Sequence, residues 1–169
     1  MTQPIVMAQA LDGDERSPRV AIIYSSPAEH DQMAQAGALL ARFGVLYDEV
    51  CMSPHRSPRA LADWMSELEP RGIEVVIAGG AGSSALAGIV AAHVVLPVIG
   101  VPLAGSALDG QDALFGLTQL PPGVPVAAVG IDNSLNAAVL AVQVLAVGDP
   151  VLRERLWRFK DDFEKAAVR

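Results

Sequence analysis

The chain has 169 residues, enough for one domain with a sizeable core, and 51% of them are hydrophobic against 18% charged, which predicts a globular protein. Twelve Lys and Arg against nineteen Asp and Glu leave a net charge of −7, and no basic run is present, which excludes nucleic acid as an expected partner. The single cysteine, Cys51, has no partner for an internal disulfide; we interpret it as a small buried residue in a reducing compartment, the cytoplasm.

The N-terminal segment 1–18 carries four charged residues and no long apolar run after a basic start, so it lacks the pattern of a signal peptide. We predict a flexible tail there. Residues 75–105 contain no Asp, Glu, Lys or Arg, and such an uncharged stretch is also a feature of membrane spans. Glycines and prolines divide this stretch into pieces too short to cross a bilayer as one helix, so we predict buried strands and a helix and no membrane partner.

The rest of the chain alternates apolar runs of strand length with segments of helical periodicity. Ser57-Pro58 and Asp149-Pro150 supply caps and first-turn prolines for two of the helices. In chain order the predicted elements are strand 19–24, helix 29–43, strand 45–52, helix 57–68, strand 74–78, helix 83–93, strand 96–101, helix 110–117, strand 124–131, helix 134–147 and helix 149–168.

This alternation predicts an α/β fold for residues 19–148: a three-layer, doubly wound parallel sheet with right-handed crossovers and flavodoxin-like topology. Helix 134–147 is apolar nearly all round, and the long C-terminal helix over 149–169 is amphipathic. Because one sheet cannot cover so much apolar helix surface, we expect the C-terminal helix to pack on a neighbouring subunit of a homo-oligomer.

Three loops follow predicted strands and therefore meet at the carboxyl edge of the sheet, where open α/β folds bind ligands. The first loop, residues 24–31, offers hydroxyls and backbone N–H groups at a helix start, an arrangement suited to anions. Its candidate ligand-binding residues are Ser25, Ser26 and Glu29, although plain helix capping explains the two serines equally well. We interpret His30 and Asp31 as solvated surface residues.

The second loop places His55 beside Arg56 within Ser53-Pro-His-Arg-Ser-Pro58. A guanidinium suits phosphate or carboxylate, and an imidazole with an ordinary pKa near ~6.5 can give or take a proton at neutral pH. Ser53 is a further candidate for substrate binding. The alternative is an exposed loop histidine and a surface arginine without chemistry.

The third loop, residues 78–85, is rich in glycine, which lets backbone approach a ligand and presents amides at a helix start. It lacks the Gly-x-Gly-x-x-Gly spacing and the lysine of a P-loop, so we expect neither a dinucleotide nor a nucleoside triphosphate. The candidate ligand-binding residues here are Ala78, Gly79, Gly80, Gly82, Ser83 and Ser84.

Four segments, in the same order along the chain, resemble the sequence motifs of a known family. Residues 53–58 are similar to Ser-Ala-His-Arg-Thr-Pro, 76–82 to Val-Ile-Ala-Gly-x-Gly-Gly, and 96–102 are Leu-Pro-Val-Ile-Gly-Val-Pro letter for letter. Residues 108–126 follow the pattern Leu-x-Gly-x-Asp-x-Leu-x-x-x-Gln-Met-Pro-x-Gly-x-Pro-Val with small departures. These motifs resemble the PurE family, which comprises carboxyaminoimidazole ribonucleotide mutases and the catalytic subunit of phosphoribosylaminoimidazole carboxylase.

The resemblance implies an octameric enzyme that moves a carboxyl group from the exocyclic amine of an aminoimidazole ribonucleotide to ring carbon 4. It implies that carbon dioxide is released and held in a closed pocket, and that no metal and no organic cofactor takes part. His55 would carry the proton between ring carbon and carboxylate. Arg56 and the first-loop hydroxyls would hold the 5′-phosphate.

The chain also departs from the family pattern. The family's Gly-Ser-x-Ser-Asp is Ser-Ser-Pro-Ala-Glu at 25–29, where the acid is one methylene longer and could still reach ribose hydroxyls. Ala85 replaces a second active-site histidine, and His93, where a lysine is usual, is interpreted as structural. We expect Ser83 or Ser84 to bind the substrate carboxylate in place of the missing imidazole.

Three functions stay open at this point. The chain is a purine-pathway mutase or carboxylase, a paralogue that carboxylates or decarboxylates another heterocycle or nucleotide, or a non-catalytic nucleotide-binding scaffold. The presence of both His55 and Arg56 argues against the scaffold. A phosphoacceptor receiver domain is excluded, because Ala78 and Ser25 stand where that function requires acidic residues.

Overall fold

The computed structural model describes residues 17–82 and 85–167. Its five strands form one sheet in the order β2-β1-β3-β4-β5, with every neighbouring pair parallel. The predicted doubly wound, flavodoxin-like fold is confirmed. The elements are β1 Val20–Tyr24, α1 His30–Arg42, β2 Tyr47–Cys51, α2 Pro58–Ser66, β3 Val75–Ala81, α3 Ala85–His93, β4 Val98–Leu103, α4 Gln111–Thr118, β5 Ala127–Ala128, α5 Ser134–Leu145 and α6 Pro150–Ala167.

Strand β1 shows why the sheet is covered on both faces. Val20, Ile22 and Tyr24 contribute to the core beneath α1, α5 and α6, whereas Ala21 and Ile23 contribute to the core beneath α2, α3 and α4. Successive side chains of a strand point to opposite faces, so a run of five apolar residues buries both. A 3₁₀ turn at Pro27–Glu29 then leads directly into α1.

Helix α6 begins at the predicted cap. The Oδ1 atom of Asp149 accepts hydrogen bonds from the N–H groups of Val151 at 3.0 Å and Leu152 at 3.1 Å. Its Oδ2 atom accepts from Arg19 Nη1 at 2.9 Å. These contacts lower the pKa of Asp149, the Leu152 amide most of all and the Arg19 side chain next. The cap therefore also ties the C-terminal helix to the residue that precedes β1.

Part of the apolar stripe of α6 packs within the same subunit. Leu152 and Leu156 are buried against the α1 and α5 layer, and the Phe159 ring lies 5.1 Å from that of Phe43. Trp157 and Phe163 remain 64% and 65% exposed. Packing of this helix on a neighbouring subunit stays a prediction, and these two rings are among the side chains available for it.

Two strands differ from their predicted lengths. Strand β5 has two residues rather than the predicted span 124–131, since it lies at the sheet edge, Pro125 has no N–H to donate, and Asp132 turns the chain with a φ of 55°. Strand β3 continues to Ala81, beyond the predicted end at 78, because it pairs with β4 as far as Leu103. The glycines at 79 and 80 therefore belong to a strand.

Residues 75–105 contribute β3, α3 and β4, as predicted. None of the helices in the described part of the chain is long and apolar enough to cross a membrane. The predicted tail over 1–18 lies outside the described residues except for Ser17 and Pro18.

Candidate active site at the carboxyl edge of the sheet

The ends of the first three strands lie side by side. Tyr24, the last residue of β1, is in register with Cys51 of β2 and Gly79 of β3, and the Met52 amide donates to the Tyr24 carbonyl at 2.8 Å. The first and second loops therefore leave the sheet next to one another, and β3 ends beside them.

The first loop is organised around a buried carboxylate. Glu29 is 9% exposed, and its Oε2 atom accepts from the backbone N–H groups of Ser25 at 2.8 Å and Ser26 at 2.9 Å. Its Oε1 atom accepts from the N–H of Ala81 at 3.0 Å, across the sheet edge. The N–H groups that the sequence offered to an external anion are thus already bonded to an internal one.

The two serines of the first loop have different roles. Ser26 caps the 3₁₀ turn, where its Oγ accepts from the Ala28 amide at 3.4 Å, so the capping interpretation is confirmed for this residue. The hydroxyl of Ser25 donates to the Glu29 carboxylate at 3.0 Å. Ser26 consequently keeps its hydroxyl proton for another partner, while Ser25 presents lone pairs.

The prediction that His30 is a solvated surface residue holds only in part, because its side chain is 43% exposed but also contacts buried groups. Its Nδ1 atom lies 3.0 Å from the Tyr24 hydroxyl and 3.0 Å from Oε1 of Glu49, a buried carboxylate within β2. Burial, reinforced by the Glu49 charge, raises the pKa of Tyr24 far above its ordinary value, so the phenol stays protonated. An acidic residue inside an otherwise buried strand was the sequence signal for this cluster. Asp31 is exposed, as expected.

The second loop is a tight turn that presents its two candidate residues to solvent. The Ser57 amide and the Ser57 hydroxyl both donate to the Ser53 carbonyl at 2.9 Å, and the Arg56 amide lies 3.4 Å from Ser53 Oγ. Ser57 precedes α2 without a side-chain capping bond. His55 and Arg56 are exposed at the top of this turn, at the carboxyl edge.

Cys51 lies beneath the second loop, half-buried against the core on the α1 side. Burial raises the pKa of its thiol, and the nearby Arg56 opposes this rise only in part. The thiol therefore stays protonated at neutral pH and acts as an apolar residue, as the sequence predicted.

The third loop is shorter than predicted. Ala78, Gly79 and Gly80 lie buried within β3, and Met33 of α1 fills the space that a Cβ atom at Gly79 would occupy. Gly82 has a φ of +66°, the left-handed conformation that favours glycine, and opens the turn after the strand. Ser83 and Ser84 lie outside the described residues. Ligand contacts at all six positions stay predictions.

Two large cavities lie at the helical faces. One, of about 300 Å³, is lined by α5 and α6 residues including Leu156 and Trp157. Another, of about 490 Å³, lies between the end of α4 and β5. Over residues 17–82 and 85–167, no group of three or more His, Cys, Asp and Glu side chains is placed to hold a metal ion.

The doubly wound parallel sheet defines a flavodoxin-like α/β protein, and folds of this class bind ligands at the carboxyl edge. The family model for AIR carboxylase matches residues 19–166. The N5-carboxyaminoimidazole ribonucleotide mutase of Pyrococcus abyssi is 42% identical over 148 residues, which cover 88% of this chain and 85% of the relative. The chain belongs to the AIR carboxylase family and is an enzyme of the PurE type.

Further comparisons agree with this assignment. The N5-carboxyaminoimidazole ribonucleotide mutase of Mycobacterium tuberculosis H37Rv is 44% identical over 144 residues, covering 85% of this chain and 83% of that protein. The phosphoribosylaminoimidazole carboxylase of Candida albicans is 43% identical over 141 residues, 83% of this chain but 25% of that longer protein. The crystal structure of Treponema denticola PurE shares the fold, with a TM-score of 0.83, 22% identity and coverage of 89% of this chain and 94% of that chain. The family resemblance deduced from the motifs is confirmed.

Proposed function

We propose that this protein interconverts carboxylated aminoimidazole ribonucleotides in purine biosynthesis, with His55 as the proton carrier. The observation that carries the proposal is the placement of His55 and Arg56 on one tight turn at the carboxyl edge, beside the first loop, in a chain of this family. An exposed imidazole next to an exposed guanidinium combines proton transfer with recognition of an anionic ligand.

The reaction we propose is an isomerisation that needs no net proton. The bond between the exocyclic nitrogen and the carboxyl carbon breaks, carbon dioxide is released, and the nitrogen takes a proton from the His55 imidazolium. Ring carbon 4 then attacks the carbon dioxide, and the proton that carbon 4 loses returns to His55. Exclusion of water from the closed site keeps the carbon dioxide beside the ring. The proposal includes no metal and no organic cofactor.

The surrounding groups bind different parts of the substrate. Arg56 pairs with the 5′-phosphate, and the free hydroxyl proton of Ser26 donates to a phosphate oxygen. Ser25, whose proton is engaged by Glu29, accepts a hydrogen bond from a ligand hydroxyl. Ser83 or Ser84 binds the substrate carboxylate, and Ser53 shapes the turn that carries His55.

The site is completed by neighbouring subunits in our proposal. A homo-octamer buries the exposed apolar side chains of α6 and covers the open carboxyl edge, which supplies the closed pocket that retention of carbon dioxide requires. We place this assembly in the cytoplasm.

A labelled-carbon experiment tests the reaction. Purified protein is mixed with aminoimidazole ribonucleotide carrying a ¹³C-carboxyl group on its exocyclic nitrogen, and ¹³C NMR follows transfer of the label to ring carbon 4. We expect His55→Asn to slow the transfer by about 10²–10⁴-fold, because it removes the proton carrier, with an unchanged circular dichroism spectrum. Label transfer by His55→Asn at the wild-type rate contradicts the role of His55.

A second candidate function is favoured by Ala85, which stands where the family pattern has a second active-site histidine. The protein would then carboxylate or decarboxylate a different heterocycle or nucleotide. A thermal-shift panel of aminoimidazole ribonucleotide and its two carboxylated forms separates the candidates. Stabilisation by none of them favours the second candidate, and stabilisation without turnover favours a non-catalytic scaffold.

A further inference from the structure

The Glu29 carboxylate is surrounded by donors from two separate parts of the chain. Three of these donors belong to the first loop: the N–H groups of Ser25 and Ser26 and the hydroxyl of Ser25, at 2.8, 2.9 and 3.0 Å from Oε2. The fourth is the N–H of Ala81, 52 residues away at the end of β3, at 3.0 Å from Oε1. Glu29 is 9% exposed, and all four contacts are partly buried.

These contacts engage both oxygens of the side chain. The Ser25 hydroxyl lies 3.0 Å from Oε2 and 3.1 Å from Oε1, so it is shared between the two oxygens. Hydrogen bonds to a buried charge are strong, and breaking one leaves an unpaired donor or acceptor in a dry environment. The amides of Ser25 and Ser26 are therefore engaged by Glu29 and are not free to bind a phosphate.

The length of the side chain decides how far the carboxylate reaches. The contacts within the first loop reach only residues three and four positions earlier, as the acidic residue of a capping box does. An aspartate is shorter by one methylene, about 1.5 Å along the chain, judged by an ordinary carbon–carbon bond length. It cannot keep the contacts to Ser25 and Ser26 and also reach the Ala81 amide.

We infer that Glu29 is a positioning residue that fixes the first loop against the end of β3. The turn at Gly82 begins one residue after Ala81, so this bond also sets where the third loop leaves the sheet. The catalytic consequence of this bond depends on the proposed function, but the bond itself does not.

Amide hydrogen exchange measured by mass spectrometry tests the structural part on the full chain. We compare wild type with Glu29→Asp and Glu29→Gln in peptides that report on residues 24–29 and 79–82. Glu29→Asp is expected to speed exchange at 79–82 while leaving 24–29 protected, because it keeps the cap and loses the long contact. Glu29→Gln is expected to speed exchange in at least one of the two peptides, since its single oxygen cannot serve both loops.

Glu74→Gln is the matched control, since Glu74 is another acidic residue, exposed and paired with Arg19 just before the opposite end of β3. It should leave both peptides unchanged. Unchanged exchange at 79–82 in both Glu29 variants overturns the inference, as does a change in Glu29→Asp that is confined to 24–29.

Kinetics then separate positioning from ligand contact. A misplaced loop lowers kcat, and we expect a loss of about 10–100-fold in Glu29→Asp with KM changed less than threefold. A rise in KM with unchanged kcat and unchanged exchange identifies Glu29 as a ligand contact and overturns the inference. If wild type shows no turnover, the proposed function fails, while the exchange result still decides the role of Glu29.

Discussion

At the scale of single residues, the site depends on polar side chains that pair with one another before any ligand arrives. Glu29 is used by two loops, and the Nδ1 atom of His30 contacts both the Tyr24 hydroxyl and the buried Glu49 carboxylate. A buried carboxylate is costly unless it is paired, so each partner has an effect on stability beyond its own contacts.

We therefore predict that His30→Ala lowers the free energy of unfolding by about 1–3 kcal/mol, because Glu49 loses a hydrogen-bond partner in a buried position. Urea denaturation followed by circular dichroism measures the change. Asp31→Ala, at the exposed neighbouring position, is the control and should change stability by less than about 0.5 kcal/mol.

The contact between His30 and Glu49 also predicts that the stability losses of variants at these two positions are not additive. Glu49→Val places an apolar side chain in the buried strand, so the double variant His30→Ala with Glu49→Val should lose less stability than the sum of the two single changes. Additive losses, or a His30→Ala variant as stable as wild type, would show that the contact contributes nothing.

At the scale of elements, the start of α6 is held by charge as well as by packing. The pKa of Asp149 is lower in the folded chain than in the unfolded chain, mainly through the Leu152 amide and then Arg19. A carboxyl with a lowered folded pKa stabilises the fold above its unfolded pKa. That stabilisation disappears as the pH falls through the folded pKa.

We predict that Asp149→Ala lowers the midpoint of thermal unfolding by about 2–4 °C at pH 7, the usual size of a lost helix cap in a chain of this length. The difference in midpoint between wild type and Asp149→Ala should shrink steadily as the pH is lowered below the ordinary pKa range of an aspartate. Scanning calorimetry between pH 7 and acidic pH measures both the difference at pH 7 and its decrease. Asp161→Ala, at an exposed position on the same helix, is the control and should leave the midpoint at pH 7 nearly unchanged. An equal gap between wild type and Asp149→Ala at every pH would argue against the charge of Asp149.

At the scale of the whole molecule, the described chain leaves apolar side chains in solvent that a stable monomer would cover. Trp157 is 64% exposed and Val151 60% exposed on α6, and Trp157 lines a groove of about 300 Å³ between α5 and α6. Exposed apolar surface of this kind marks an interaction face, which supports the proposed assembly of subunits through α6.

Trp157→Glu tests this assembly, because it places a charge on the expected interface without disturbing the core of the subunit. Light scattering coupled to gel filtration should give wild type a mass near eight times 17.7 kDa and the variant a smaller mass, with an unchanged circular dichroism spectrum. Arg158→Gln, the adjacent exposed position, should keep the wild-type mass. A wild-type monomer, or a full-size Trp157→Glu assembly, contradicts the proposal.

The sequence by itself determined the parallel sheet, the family and the position of the second loop. These depend on local information: apolar runs of strand length, helical periodicity, and motifs whose residues are contiguous, such as Ser53 to Pro58. Even the cap at Asp149 could be predicted, because a cap bonds to residues two and three positions later.

Tertiary structure decided the contacts that join distant residues. Glu29 meets Ala81 because parallel strands bring their ends to one edge, and His30 meets Glu49 because α1 packs beside β2. Nothing in the local pattern of either partner specifies the other. Strand β3 likewise runs on through Gly79 because β4 pairs with it and Met33 fills the space beside that glycine. Local patterns set which elements form, whereas long-range packing and hydrogen bonding set which polar groups stay free to bind a ligand.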